Sequence, residues 1–148
     1  MDHVLLSVHV LAAIVFVGGS AVAASLFPRY APVAGDSGGE RSRAVAAALH
    51  RITGGYAAFG LIVPAAGIAL AIAQGRMGEI WITVSMVLTA VAGLLLATQI
   101  HPRQRRALDT PGEARELRIL GMLAGVYNLA WAVVVVLMIV RPGTEAAA

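Results

Sequence analysis

The uncharged stretch at residues 4–27 decides the fold, and it reads VLLSVHVLAAIVFVGGSAVAASLF. Three further stretches, at 52–73, 80–100 and 119–140, also lack Asp, Glu, Lys and Arg. As helices they would be about 32–36 Å long, enough to cross a hydrocarbon core of about 30 Å. Backbone amides in lipid need partners within their own segment, which excludes isolated strands. We therefore predict an all-α fold in which a single domain, residues 1–148, forms an integral membrane four-helix up-down bundle.

The composition supports a membrane location. Hydrophobic residues make up 59% of the chain and charged residues 13%, whereas a soluble domain has about 25% charged residues. This composition argues against a soluble enzyme. The chain contains no cysteine, which also excludes disulfides, thiolate zinc sites, iron–sulfur clusters and the thioether attachment of c-type haem.

The arginines predict the orientation, because the chain contains no lysine. Nine arginines lie in the first and third loops, and only Arg76 and Arg141 lie on the other side. By the positive-inside rule, both termini are expected to be external in a bacterial plasma (inner) membrane. The basic segment at 101–106 then faces anionic lipid headgroups, and we expect no nucleic acid partner.

The connecting segments carry helix-start signals. Residues 37–40 (SGGE) and 110–113 (TPGE) match capping boxes, so helices two and four are expected to begin inside the cytoplasmic loops. The six-residue external loop 74–79 forces helices two and three into an antiparallel hairpin. Pro64 predicts a kink in helix two.

Each helix has a stripe of small or polar residues at spacings of three and four, and such stripes allow close helix packing in lipid. We expect these faces to point inward: His9, Ala12, Phe16, Gly19 and Ala23 in helix one; His50, Thr53, Ala57, Gly60, Pro64, Gly67 and Ala71 in helix two; Thr83, Met86, Ala90, Gly93, Ala97 and His101 in helix three; Gly121, Gly125 and Asn128 in helix four.

His9 is the leading functional candidate, because an imidazole inside a span needs a partner or a function. It could instead bond to a hydroxyl or to Asn128, or remain hydrated near the headgroups. Eighteen residues separate it from the inner end of its span, about 27 Å of rise, so it cannot share a metal with His50 or His101. Those two histidines are the alternative ligand pair for a metal or a bis-histidine haem.

Residues 9–19, HVLAAIVFVGG, followed by residues 26–30, LFPRY, resemble helix one of small four-span bacterial proteins related to HemJ-type protoporphyrinogen oxidase and to copper-resistance D (CopD-like) domains. His9 and Gly19 fit the family spacing, whereas Pro28-Arg29 comes about one turn later. The resemblance implies a redox protein with b-type haem (haem b) ligated by His9. The family also uses a lysine in helix three, and this chain has none.

Sequence analysis thus yields a leading hypothesis and two alternatives. The first is a haem-binding redox protein whose candidate cofactor residues are His9, Asn128 and Gly19. The second is a cofactor-free membrane subunit or small permease-like protein that contacts lipid and either other subunits or a second copy, with Gly121 and Gly125 as a GxxxG face. The third is metal handling by His9 and nearby methionines. The interior of the spans contains no Asp or Glu, which argues against a carboxylate-based proton relay.

Overall fold

Four long helices account for the described part of the chain, residues 2–36 and 41–144 of a computed structural model. Each is long and apolar enough to cross a membrane. We label them α1 to α4. Helix α1 consists of Asp2–Ala12, the π-helical Ala13–Gly18 and Gly19–Tyr30, and α2 consists of Arg43–Phe59 and Ile62–Ala73. Helix α3 consists of Ile80–Leu95, the π-helical Leu96–Ile100 and His101–Asp109, and α4 is Ala114–Val140. The predicted all-α fold is confirmed, and the predicted 74–79 loop joins α2 to α3.

Proline explains the interruption of α2. Pro64 has no amide proton to donate to Gly60, four residues earlier. The Gly60 carbonyl instead accepts from the Val63 amide at 3.2 Å, a tighter turn that separates the two segments of α2. In α3 the π-helical segment likewise ends just before Pro102.

The starts of α2 and α4 lie inside the loops, as predicted, but the cap at α4 differs. Ser42 caps α2 by accepting from the Val45 amide at 3.4 Å. Glu113 precedes α4 without a side-chain cap, so the capping box predicted from Thr110 is wrong. Thr110 instead ends α3, donating its amide to the Arg106 carbonyl. The capping box predicted at 37–40 lies outside the described residues.

The helices pack tightly in only one half of the bundle. We call the half with Asp2, Thr144 and the 74–79 loop the terminal half, and the half with the other two connections the basic half. In the basic half, Gly19–Tyr30 packs against both α2 and α4, and the core is built around Phe27, Ile100 and Leu120. In the terminal half, Asp2–Ala12 packs mainly on Ile62–Ala73, while α3 packs on α4. The two helix pairs are therefore less closely joined there.

The inward faces predicted for α3 and α4 are wrong for most of their residues, although His101 and Asn128 do contact neighbouring helices. In α3, Thr83, Ala90, Gly93 and Ala97 are exposed, and Met86 is exposed where it lines a cavity between the helices. The buried α3 residues are instead Ile82, Ser85, Ala92, Leu96 and Ile100. Gly121 and Gly125 of α4 are also exposed, whereas Leu120, Ala124 and Tyr127 are buried. Ala92 and Ala124 are thus the buried small residues on these two helices.

Candidate functional site

A cavity of about 680 Å³ occupies the terminal half, where the two helix pairs separate. All four helices line it, and most of the lining side chains are aliphatic. His9, Ser85 and Trp131 contribute polar atoms, and Trp81 and Arg141 also line the cavity. Its size and largely apolar lining are typical of a site for a small organic ligand.

His9 is placed in this cavity by both α1 and α2. The side chain is 8% exposed. A Cβ atom built at Gly67 would lie 3.0 Å from Cε1 of the imidazole, so glycine allows α2 to approach the ring. The Val63 backbone is also beside the ring. Even so, Nδ1 is buried and has no partner in hydrogen-bonding geometry among the described residues.

A second residue of the cavity lining also has a buried polar atom without a partner. Ser85 of α3 is 4% exposed, and within residues 2–36 and 41–144 its Oγ makes no hydrogen bond. Buried polar atoms are nearly always paired, because leaving one unpaired costs about 1–3 kcal/mol. Nε1 of Trp131, a third residue of the cavity lining, is also buried without a partner among the described residues. Three such residues around one apolar cavity favour a site where small side-chain movements let a ligand or water supply the missing contacts.

A charged cluster lies at the end of the cavity next to the 74–79 loop. Nε of Arg76 donates to Oε1 of Glu79 at 2.6 Å, and the Trp81 indole donates to the other carboxylate oxygen. The Arg76 and Arg141 guanidinium groups lie 5.8 and 5.7 Å from the Trp81 ring centroid. The pKa of Glu79 is lowered, chiefly by the hydrogen bond from Arg76 and then by that from Trp81. We call Arg76, Glu79, Trp81 and Arg141 the rim cluster.

A separate polar network lies in the basic half. The Thr53 hydroxyl donates to the Leu49 carbonyl at 2.9 Å, and Nε2 of Gln104 donates to Thr53 at 3.3 Å. Oε1 of Gln104 lies 3.1 Å from Nδ1 of His50. Because an amide oxygen can only accept, Nδ1 of His50 is the donor, and the neutral ring has its lone pair on Nε2. Gln104 and Thr53 are completely buried, so this network fixes how α2 and α3 pack.

The rings of His50 and His101 stack face to face, with centroids 4.3 Å apart and planes inclined by 17°. Gly54 gives His101 room, since a Cβ atom there would lie 2.8 Å from Nε2. Two axial ligands would approach one metal end-on from opposite sides, each at about 2 Å. His50 and His101 instead lie face to face, so they are not arranged as two axial ligands of one metal. The described residues contain no group of three or more His, Cys, Asp or Glu able to hold a metal ion.

The other two candidate residues are not brought to His9. Asn128 donates to Oγ of Ser25 at 2.8 Å, and it does not line the cavity. Gly19 faces Tyr56, whose hydroxyl would lie 2.0 Å from a Cβ atom at that position. Sequence reasoning overlooked the rim cluster and Ser85. The polar Ser85 in an apolar span was the available signal for the second.

Comparison with known proteins gives no relative. No protein-family model matches the chain, and neither the curated proteins nor the solved structures contain a match.

Proposed function

We propose that this protein is a membrane redox protein that holds a b-type haem in the terminal cavity, with His9 as an axial ligand. The observation that carries the proposal is the buried His9 imidazole, which lines a large apolar cavity and whose Nδ1 has no hydrogen-bond partner among the described residues. Haem iron is commonly held by a histidine in a pocket of this chemical character. The resemblance of residues 9–19 to HemJ-type and CopD-like proteins is consistent with this proposal.

The residues present fit such a group. The cavity is largely aliphatic, and Trp131 adds an aromatic wall. His9 is the one histidine among its lining residues, so this chain would supply a single histidine ligand. The rim cluster provides a cationic end to the cavity.

When bound, a haem exchanges one electron between its ferric and ferrous states. The contribution of this chain is to bind and orient it. Gly67 fixes how closely α2 approaches the imidazole, and the aliphatic walls exclude water from the iron environment. We propose electron transfer rather than porphyrinogen oxidation, because α3 contains no lysine to hold a porphyrin carboxylate.

We further propose that this activity resides in the bacterial plasma membrane with both termini external, which places the terminal cavity in the outer leaflet. Support comes from the arginines: nine lie at the basic half, in its connections and on the adjoining helix ends, against two at the terminal half.

Optical spectroscopy tests the haem proposal. The detergent-purified protein, as isolated or after titration with haem, should show a Soret band that His9→Ala abolishes. His50→Ala is the matched control, because His50 lies in the basic half and should leave the band unchanged. A protein that stays colourless with haem, or a band that survives His9→Ala, would refute the proposal.

A cofactor-free membrane subunit is the second candidate, supported by an exposed glycine face on α4. A Cβ atom at Gly121 or Gly125 would meet nothing within 4 Å, so no described residue packs against these glycines. Such a GxxxG face can pack against another helix in the membrane. This role predicts a colourless protein whose association in detergent is weakened by Gly121→Leu.

A further inference from the structure

Arg141 presents an unused hydrogen-bonding surface at the cavity. Its backbone is in the left-handed region at φ 49°, and its amide donates to the Leu137 carbonyl at 2.9 Å. Nε donates to the Met138 carbonyl at 3.1 Å, which fixes the start of the guanidinium. The outer nitrogens, Nη1 and Nη2, make no hydrogen bond or ion pair with any described residue. The side chain is therefore held in place with two donor groups free.

The rim cluster has one carboxylate for two guanidinium groups. Both oxygens of Glu79 are already engaged, one by Arg76 and the other by Trp81. Arg141 is attracted to this carboxylate only at longer range. The cluster therefore has a net charge of +1, and the excess belongs to the arginine that lines the cavity.

We propose that Arg141 forms a carboxylate-binding subsite, and that the ligand of the terminal cavity is an amphiphile with a large apolar body and an ionised carboxylate. The two free Nη groups match the two oxygens of a carboxylate, with which arginine forms paired hydrogen bonds. The aliphatic walls accommodate the rest of the molecule. The subsite rests on the proposed function, because a haem has an apolar body and ionised carboxylates. The same argument applies to any other amphiphile with a carboxylate.

The test compares acids with their esters. Binding of haem and of haem dimethyl ester is measured by absorbance, and binding of a conjugated fluorescent fatty acid and of its methyl ester by fluorescence, all in a non-ionic detergent. The proteins are the wild type, Arg141→Gln and Arg115→Gln, the last a control on the exposed face of the basic half. Melting temperatures establish that all three are folded.

The subsite predicts that Arg141→Gln weakens binding of at least one of the two acids on the order of tenfold, which corresponds to the loss of a charge-assisted hydrogen bond. It should not change ester binding, and Arg115→Gln should change neither. Equal binding of acid and ester by the wild type, or an equal loss of both in Arg141→Gln, would overturn the subsite. Binding of neither acid would overturn it as well.

The outcomes also separate the subsite from the haem proposal. Arg141-dependent binding of the fatty acid without haem binding would support the subsite and refute the haem. Haem binding that is insensitive to esterification, together with no Arg141-dependent binding of the fatty acid, would support the haem and refute the subsite. Repeating the haem titration in nanodiscs of phosphatidylcholine, and separately in nanodiscs of phosphatidylglycerol, identifies the anion that Arg141 binds. An Arg141 effect present only with phosphatidylglycerol would assign Arg141 to a lipid headgroup and contradict the proposal.

Discussion

Gly67 of α2 lies directly against the imidazole of His9 in α1: a Cβ atom at Gly67 would be 3.0 Å from Cε1 and 3.4 Å from Nδ1 of the ring. The two residues belong to the helix pair Asp2–Ala12 and Ile62–Ala73, which packs together in the terminal half. Glycine at this position thus lets the two helices approach without displacing the imidazole, and the orientation of a ligating histidine affects how it holds a metal.

Gly67→Ala should accordingly disturb the cofactor site without removing the ligand. The added methyl group must push the ring aside by a few tenths of an ångström, so we expect haem affinity to fall about 10-fold, the lower end of the effect of losing a group that orients a metal ligand. The Soret band should shift in position but persist. Gly93→Ala is the control, because a Cβ atom there meets nothing within 4 Å. Identical haem titrations for both variants would contradict this role for Gly67.

Gly19 and Gly18 form a matched pair for testing the contact between α1 and α2. A Cβ atom at Gly19 would overlap the Tyr56 side chain, whereas one at Gly18 meets nothing. Gly19→Ala should therefore destabilise the protein by about 1–3 kcal/mol through overpacking. Gly18→Ala should be neutral or stabilising, since alanine favours a helix by about 1 kcal/mol over glycine. Thermal unfolding in detergent measures both, and equal melting temperatures would rule out the overlap.

Gln104 tests the buried network of the basic half. Gln104→Leu keeps a similar volume but leaves the Nδ1 donor of His50 without its acceptor, and the Thr53 hydroxyl keeps only its bond to the Leu49 carbonyl. An unpaired buried polar group costs about 1–3 kcal/mol, so the melting temperature should fall. Gln99→Leu, on the exposed side of the same helix, should have little effect. If the two variants have the same melting temperature, the network does not contribute to stability.

The fold could be predicted from sequence because each helix is defined by its own residues, and the same pattern occurs four times. Four uncharged stretches of bilayer length define the helices whatever their packing partners, and the short 74–79 loop fixes an antiparallel pair. The helix faces were harder to predict. Small-residue stripes on α3 and α4 were expected to point inward, but a stripe such as Gly121 and Gly125 is compatible with either an internal or an external contact.

The candidate site was predictable only at His9, whose polarity stands out within its span. Asn128 and Gly19 also stand out, yet they pair with Ser25 and Tyr56 instead. The π-helical turn at Ala13–Gly18 inserts extra residues between His9 and Gly19, which changes the face that each presents. The rim cluster depends on Arg141, far along the chain from Trp81, and spacing alone could not bring the two together.

Glu79 should give the rim cluster a measurable pH dependence. Its pKa is lowered in the folded protein, first by the hydrogen bond from Arg76. A lowered pKa contributes stability that is present above the ordinary carboxyl pKa of about 4.3 and is lost as the pH falls through the folded value. Carbon-13 NMR of the glutamate carboxyls should show Glu79 titrating below that value. In Arg76→Gln its pKa should rise, and an unchanged titration would show that Arg76 is not the cause.

The orientation can be tested by cysteine labelling, because the wild-type chain contains no cysteine to give background. Gly78→Cys lies in the 74–79 loop, and Arg105→Cys lies on an exposed position of the basic half. If both termini are external, a membrane-impermeant maleimide added to intact cells should label Gly78→Cys alone. Permeabilised cells should then expose Arg105→Cys to the same reagent. The reverse pattern would place the nine arginines outside and move the terminal cavity to the inner leaflet, where its ligand would have to arrive from the cytoplasm.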